Sequence, residues 1–345
     1  MQLSATQYLY LFSATMIIVG ALTPIMRLLA IRFGVVDNPN QDHKTHKAPI
    51  PYLGGVAIMI GAISVTYLAL LRYGVNETNL WLASSLMIPA CLMGLIGLLD
   101  DVRNLSPWPR FLAQSIAGLL TAIVLIVTDT FGSPTGSLFM DVAITIVWIV
   151  GITNSINFFD NVDGGASGTV AIASLALFLI ALQGGQFLIA ALAVVLSGAT
   201  IGFLSWNRPP ARIYMGDAGA LFLGLLIASL TIRLDTNPIN QFATFSIPIL
   251  ILAVPIMDTS VAVLSRFRRK LSPFQGGRDH LSHRLMRVGF SKPLAVISLW
   301  LMTGYFSAIA IAISHAPFQF EGLISAAGAL SWLALFAWFM KQADF

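Results

Sequence analysis

Two adjacent carboxylates, Asp100 and Asp101, stand at the end of the apolar run 82–99. Their like charges repel, and at an apolar boundary they also lose hydration, so the pair calls for a cation or a positive group nearby. Solvated helix-end acids beside Arg103 are the plainer alternative. A second stretch, "NSINFFDNVDGG" (154–165), carries Asn154, Asn157, Asp160 and Asp163 at three-residue spacing. On a helix that spacing makes one polar stripe. Amide and carboxylate oxygens are the hard ligands Mg2+ takes, and Mg2+ keeps waters and binds substrate phosphates. The stripe therefore reads as a metal and phosphate site, with a structural cap as the alternative.

Three further stretches add to this. In "YMGDAG" (214–219) Asp217 begins an apolar run, where it either complements a helix dipole or, with Gly216 and Gly219 beside it, meets a ligand. Tyr214 offers that ligand a flat face for a base. In "GRDHLSHRL" (277–285) His280 and His283 lie one helical turn apart amid Arg278, Arg284 and Arg287. Zinc would need a third histidine or a cysteine nearby, so a phosphate-binding cluster is the better reading, against a solvated basic face. "HKTHKAPIPYLGG" (43–55) projects Lys44, His46 and Lys47 from a loop fixed by prolines and glycines. Asp258, in "VPIMDTSV", is an acid deep within an apolar run and serves either function or helix packing.

The elements that must position these groups are membrane helices. Of 345 residues 57% are hydrophobic and 10% charged, and the mean hydropathy is +0.83. Soluble domains carry about 25% charged residues. Runs near the length needed to cross a bilayer recur at 8–30, 54–72, 81–99, 110–128, 137–153, 166–183, 186–205, 217–233, 243–264, 294–314 and 319–340, the fifth being short. The expected fold is an all-α polytopic membrane protein of 10–11 transmembrane helices, a single integral-membrane domain over 1–345. The first run lacks a basic start and a cleavage site and reads as a retained helix. Cys91 is the single cysteine, so disulfides and cysteine metal sites are excluded. Lys and Arg bias puts the N-terminus outside and all five polar stretches on the cytoplasmic face. The net charge of +4 then reports topology and attraction to anionic membrane lipid, not nucleic acid.

In this order the motifs resemble the polyprenyl-phosphate N-acetylhexosamine-1-phosphate transferases, over residues 35–290. The resemblance implies a multi-pass protein of the bacterial inner membrane that moves a sugar phosphate, GlcNAc 1-phosphate in the favoured branch, from a UDP-N-acetylhexosamine to undecaprenyl or another polyprenyl phosphate. UMP leaves, and the product starts a cell-envelope glycan. It also implies Mg2+, or Mn2+ in its place. Residue by residue, Asp100 and Asp101 match acids assigned to the lipid phosphate, with Asp160 counted beside them as catalytic. Asn157 and Asp217 match Mg2+ ligands. Asn207 and Tyr214 match nucleoside-site positions, Tyr214 by stacking on uracil. Lys47 and Asp163 match the nucleotide pocket, and His280 and His283, with Arg278, the histidine motif near the pyrophosphate or sugar. Ser282 replaces a histidine common in that motif, and Tyr52 stands where arginine is common. The histidine-rich signature of the phospho-MurNAc-pentapeptide branch is absent, though that branch remains the alternative. A CDP-alcohol phosphotransferase is disfavoured because Ser167 and Gly168 stand where its motif has Ala and Arg. A transporter is the reading from another class, and a homodimer stays open.

Overall fold

A computed structural model describes residues 3–37, 49–73, 76–103, 107–127, 137–235, 241–272 and 277–342. The elements are α1 (Ala5–Phe33), β1 (Val36–Asp37), β2 (Ile50–Pro51), α2 (Gly54–Tyr73), α3 (Glu77–Arg103), α4 (Pro107–Val127), α5 (Leu138–Phe159), α6 (Gly165–Gln183), α7 (Phe187–Asn207), α8 (Gly216–Ile232), α9 (Gln241–Ile251), α10 (Ala253–Arg268), α11 (Leu281–Arg287), α12 (Lys292–His315) and α13 (Phe318–Lys341). Every apolar run read from the sequence is helical. Among the described residues eight helices are long and apolar enough to cross a membrane, and the α9–α10 pair makes a ninth if counted as one broken span. The chain is a multi-pass membrane protein.

One expected span is longer than read, and two other runs need correction. The short run 137–153 extends to Phe159, and at 22 residues α5 is a full-length candidate span. The run 243–264 is not one straight helix, because α9 and α10 meet at 77° around Leu252. The break places Pro255 in the first turn of α10, where a proline is tolerated; Pro24 and Pro89 lie inside helices that continue through them. The run 217–233 folds into a helix of 17 residues, below the length of the other candidates. α8 is apolar all round and buried along almost its whole length, as expected of a helix surrounded by protein.

The packing of α8 positions the site. It lies against α3, α5 and α2, and α3 comes close because it has Gly97 at the contact. A Cβ there would fall 2.3 Å from the carbonyl oxygen of Asp217, so any side chain would push α3 off the start of α8. The loop before α2 is held by the same element. β1 and β2 pair antiparallel, Val36 opposite Pro51, and the strand then hands its backbone to the 214–215 segment. Tyr214 N–H donates to Pro51 O at 2.9 Å, Gly54 N–H to Tyr214 O at 3.0 Å and Gly55 N–H to Met215 O at 2.9 Å.

Candidate active site

The ends of α3, α5, α7 and α10 and the starts of α6, α8, α11 and α12 converge at one end of the bundle. At its centre is the N-terminus of α8. Asp101 places one carboxylate oxygen 2.8 Å from the N–H of Asp217 and the other 3.1 Å from the N–H of Ala218. A carboxylate there satisfies orphan N–H groups and the positive end of the helix dipole. Gly216 has φ +69°, and a Cβ on it would lie 2.4 Å from an Asp101 oxygen; glycine is required for both reasons. Asp101 is therefore built in as the cap of α8. Asp100, beside it, is buried.

Asn157 donates from Nδ2 to Asp217 Oδ1 at 2.6 Å. α5 ends two residues later, and Asp160 is its C-cap residue. The expected four-residue stripe is thus a helical stripe only as far as Asn157. Asn154 turns away and donates to Gln114 of α4. Asp160 enters the acid cluster from the turn, and Asp163 lies beyond it. Asp163 is buried and accepts from the N–H of Ala211 at 3.0 Å and from Lys292 Nζ at 2.8 Å. Asp160 makes no side-chain hydrogen bond or ion pair among the described residues. Burial, and then the charges of Asp217, Asp101 and Asp163, push its carboxyl well above the usual carboxylate range.

Such a site wants a cation. Asp217 and Asp160 interact through their charges, and Asn157, whose Nδ2 faces Asp217 here, would offer a cation its Oδ1. That set fits Mg2+ sharing its shell with substrate phosphates. It does not fit a fully protein-held metal, since among the described residues no three His, Cys, Asp or Glu side chains are placed to hold one.

The remaining expected residues divide into two kinds. Asn207 is 1% exposed. Its Oδ1 accepts from Gly164 N–H and Ser167 Oγ, each at 3.0 Å, and its Nδ2 donates to Ile213 O at 3.0 Å. It braces the loop 208–214 against the start of α6. Tyr214 stands with its ring centroid 6.2 Å from that of Tyr52, at 48°. Burial and the charges of Asp163, Asp37 and Asp160 raise its phenol, and burial and the bonded carboxylate of Asp37 raise that of Tyr52, so both rings are neutral. Lys47 lies outside the described residues, as do Lys44 and His46.

The histidine motif is held on the other flank. Asp258 is fully buried; one carboxylate oxygen accepts from His280 Nδ1 at 2.7 Å and the other from the N–H of Leu281 at 2.7 Å. It is at once the cap of α11 and the partner of His280. Arg266 spans Asp279, at 2.8 Å, and His280 Nε2, at 3.3 Å, and lies 5.8 Å over the ring of Phe158. Arg284 is fully buried and donates to the carbonyls of Asp279, Phe339 and Gln342. Arg278 is half-buried, and its carbonyl accepts from Arg287 at 2.8 Å. His283 is partly exposed, its ring centroid 6.3 Å from that of His280.

Sequence reasoning left out Lys292, which pairs with Asp163, and Trp300, whose Nε1 donates to Gly164 O at 3.1 Å. Both come from α12, far along the chain. The one local signal was Lys292-Pro293 opening an apolar run, the pattern of a helix start.

The chain belongs to glycosyl transferase family 4, whose family model matches residues 83–235. It is a membrane transferase of that family. Among its curated relatives is the probable undecaprenyl-phosphate N-acetylglucosaminyl 1-phosphate transferase of Bacillus subtilis, 35% identical over 311 residues, covering 88% of this chain and 84% of the relative. The decaprenyl-phosphate N-acetylglucosaminephosphotransferase of Mycolicibacterium smegmatis is 31% identical over 310 residues, covering 81% and 75%. The phospho-N-acetylmuramoyl-pentapeptide-transferase of Streptococcus equi subsp. zooepidemicus is 28% identical over 298 residues, covering 80% and 87%.

Proposed function

We propose that the chain transfers GlcNAc 1-phosphate from UDP-GlcNAc to a polyprenyl phosphate, releasing UMP. The observation that carries this reading is the meeting of Asn157, Asp160 and Asp217 around a helix start capped by Asp101. Two of the curated relatives are named for this GlcNAc phosphate chemistry. In the reaction an oxygen of the lipid phosphate bonds to the phosphorus that carries the sugar. The bond from that phosphorus to the bridging oxygen breaks, and UMP leaves with the electron pair.

Phosphoryl transfer is mostly positioning and charge neutralisation. Asn157 and Asp217 would hold Mg2+, which when bound would supply positive charge to the pyrophosphate. Asp101 fixes the start of α8, and with it Asp217. Asp100 and Asp160 face the lipid phosphate and hold or take its proton. Asp163, kept in place by Lys292 and Ala211, lines the nucleotide side, where Tyr214 stacks on uracil and Lys47 contributes its charge. Asn207 acts through the loop it braces. Arg278 and the histidine motif flank the sugar and its phosphate.

The site faces the cytoplasm in this reading, where UDP-sugars are made, and the N-terminus faces out. The motif-bearing end carries Lys270, and α13 begins at the other end, so cysteines at Lys270 and Gln319 in a Cys91→Ala background test the orientation. Labelling of Lys270→Cys from outside intact cells would reverse it. The activity itself is tested by supplying purified protein with Mg2+, polyprenyl phosphate and a panel of UDP-sugars. UMP and a lipid-soluble GlcNAc product are expected. Release of UDP would mean that sugar, not sugar phosphate, is moved. Turnover only with UDP-MurNAc-pentapeptide would assign the chain to the peptidoglycan branch.

A further inference from the structure

Ser282 stands where the family's motif often has histidine, and its surroundings determine the protonation of the histidine that follows. Asn161 follows Asp160 directly in the chain. Asn161 Nδ2 donates to Phe158 O at 2.9 Å and reaches Asp258 Oδ2 at 3.4 Å. A carbonyl and a carboxylate both accept, so the atom turned toward Ser282 is Oδ1. Ser282 Oγ lies 2.6 Å from that Oδ1. An amide oxygen only accepts, so the hydroxyl proton of Ser282 points there. Ser282 Oγ also lies 3.2 Å from His283 Nδ1. With its one proton committed, Ser282 can only accept, and the imidazole must carry its proton on Nδ1. A neutral imidazole protonated on Nδ1 has a lone pair on Nε2.

The two histidines therefore differ. Both nitrogens of His280 are used inside the protein, Nδ1 by Asp258 and Nε2 by Arg266. Among the described residues His283 Nε2 makes no hydrogen bond, and His283 is partly exposed, whereas His280 is 6% and Ser282 1% exposed. We infer that Ser282 is a positioning residue that holds His283 as the Nδ1–H tautomer, so that Nε2 accepts a hydrogen bond from a neutral donor of the sugar nucleotide, a hydroxyl or an amide N–H. This rests on the transfer reading above, and it moves His283 from the phosphates to another part of the same substrate. A lone pair directed at a phosphate oxygen is repelled. His283 also stays uncharged, because burial, then His280, Arg278 and Arg287, lower its pKa to about 4 against the opposing pull of Asp258.

Diethyl pyrocarbonate, which acylates an imidazole lone pair, tests the assignment on the purified wild-type protein with peptide mass spectrometry. His283 should react and His280 should not. The rate at His283 should stay level from pH 8 to pH 5.5, while a free imidazole slows as it protonates near pH 6.5. UDP-GlcNAc with Mg2+ should protect His283. Protection by UMP as well would locate the donor on the nucleoside, and protection by UDP-GlcNAc alone would locate it on the sugar. In activity, Ser282→Ala should lower kcat/KM roughly tenfold, with Ser282→Thr recovering most of it. His283→Gln, which puts an amide oxygen near the Nε2 position, should outperform His283→Asn. An unreactive His283, no protection by either nucleotide, or equal activity of Ser282→Ala and wild type would overturn the proposal. A wild type that releases no UMP would instead overturn the transfer reading, and the acylation pattern would still decide the tautomer.

Discussion

Two polar neighbourhoods lie side by side at one end of the bundle and are completed differently. Around α11, acid meets base inside the protein: Asp258 holds His280, and Asp279 bridges Arg266 and Arg269 at 2.8 and 2.6 Å. At the start of α8 the carboxylates rest on weaker partners. Asp101 is met by backbone N–H groups, Asp217 by an amide, and Asp160 by no side chain among the described residues. The first neighbourhood is complete as folded and keeps a shape. The second gathers the charges of Asp101, Asp160 and Asp217 close together, and in the proposed reading a cation completes it. Losses in the two should therefore appear in different measurements.

The largest effect belongs to the unfinished side. Asp217→Asn should lower kcat on the order of 1,000-fold, the scale of losing an electrostatic contact to a transferring group, with the melting temperature almost unchanged. A stable Asp217→Asn enzyme with wild-type kcat would break the comparison. On the completed side the order reverses. Asp258→Ala leaves His280 and the start of α11 without their buried partner, which costs about 3 kcal/mol and should lower the melting temperature by roughly 6 °C. If Asp258→Ala instead melted like wild type, the α11 neighbourhood would not be the rigid one.

Asp160 gives a smaller effect with a defined sign. Its folded-state pKa is raised, so between the ordinary carboxylate value and the folded one the native protein binds a proton that the unfolded chain has lost. Stability from this group is present at acid pH and declines as pH rises through that window. Metal-free protein should lose melting temperature from pH 5 to pH 8 and regain part of it with Mg2+. Asp160→Asn should flatten both responses, by a few degrees in all. An unchanged Mg2+ increment in that variant would assign the excess charge elsewhere. The smallest effect is expected of Lys292→Met. Lys292 is 31% exposed, and a partly exposed pair is worth little, so KM for the UDP-sugar should rise only about threefold. A change in kcat alone would place Lys292 closer to the reacting atoms.

Much of the architecture could be read from the sequence because the helices are long, apolar and separated by polar stretches. The bend at Leu252 was not legible from Pro255 alone, since α1 and α3 run on through Pro24 and Pro89. The central burial of α8 was less accessible: "GDAGALFLGLLIASLTI" looks like a membrane span, and only the close approach at Gly97 shows that protein surrounds it. The acids and amides of the site announce themselves by type. Their partners do not, because Lys292 reaches Asp163 and Asn161 reaches Ser282 across more than a hundred residues. Nor does the end of a helix: three-residue spacing linked Asn154 to Asp163, while the chain turned at Asp160 and sent them to different neighbours.

Arg284 has a consequence for how the molecule is made. It is fully buried, and it donates to the carbonyls of Phe339 and Gln342 at the end of α13, where a cation also complements the helix dipole. The histidine motif is thus clasped by a stretch synthesised some sixty residues later. During membrane insertion the acid cluster can assemble once α12 has supplied Lys292. The clasp closes only after α13 is in place. A chain that ends before residue 339 lacks the Phe339 and Gln342 carbonyls that Arg284 donates to in the folded protein, and losing buried hydrogen-bond partners is destabilising. The end of α13 and the start of α11 are thus tied together through one guanidinium.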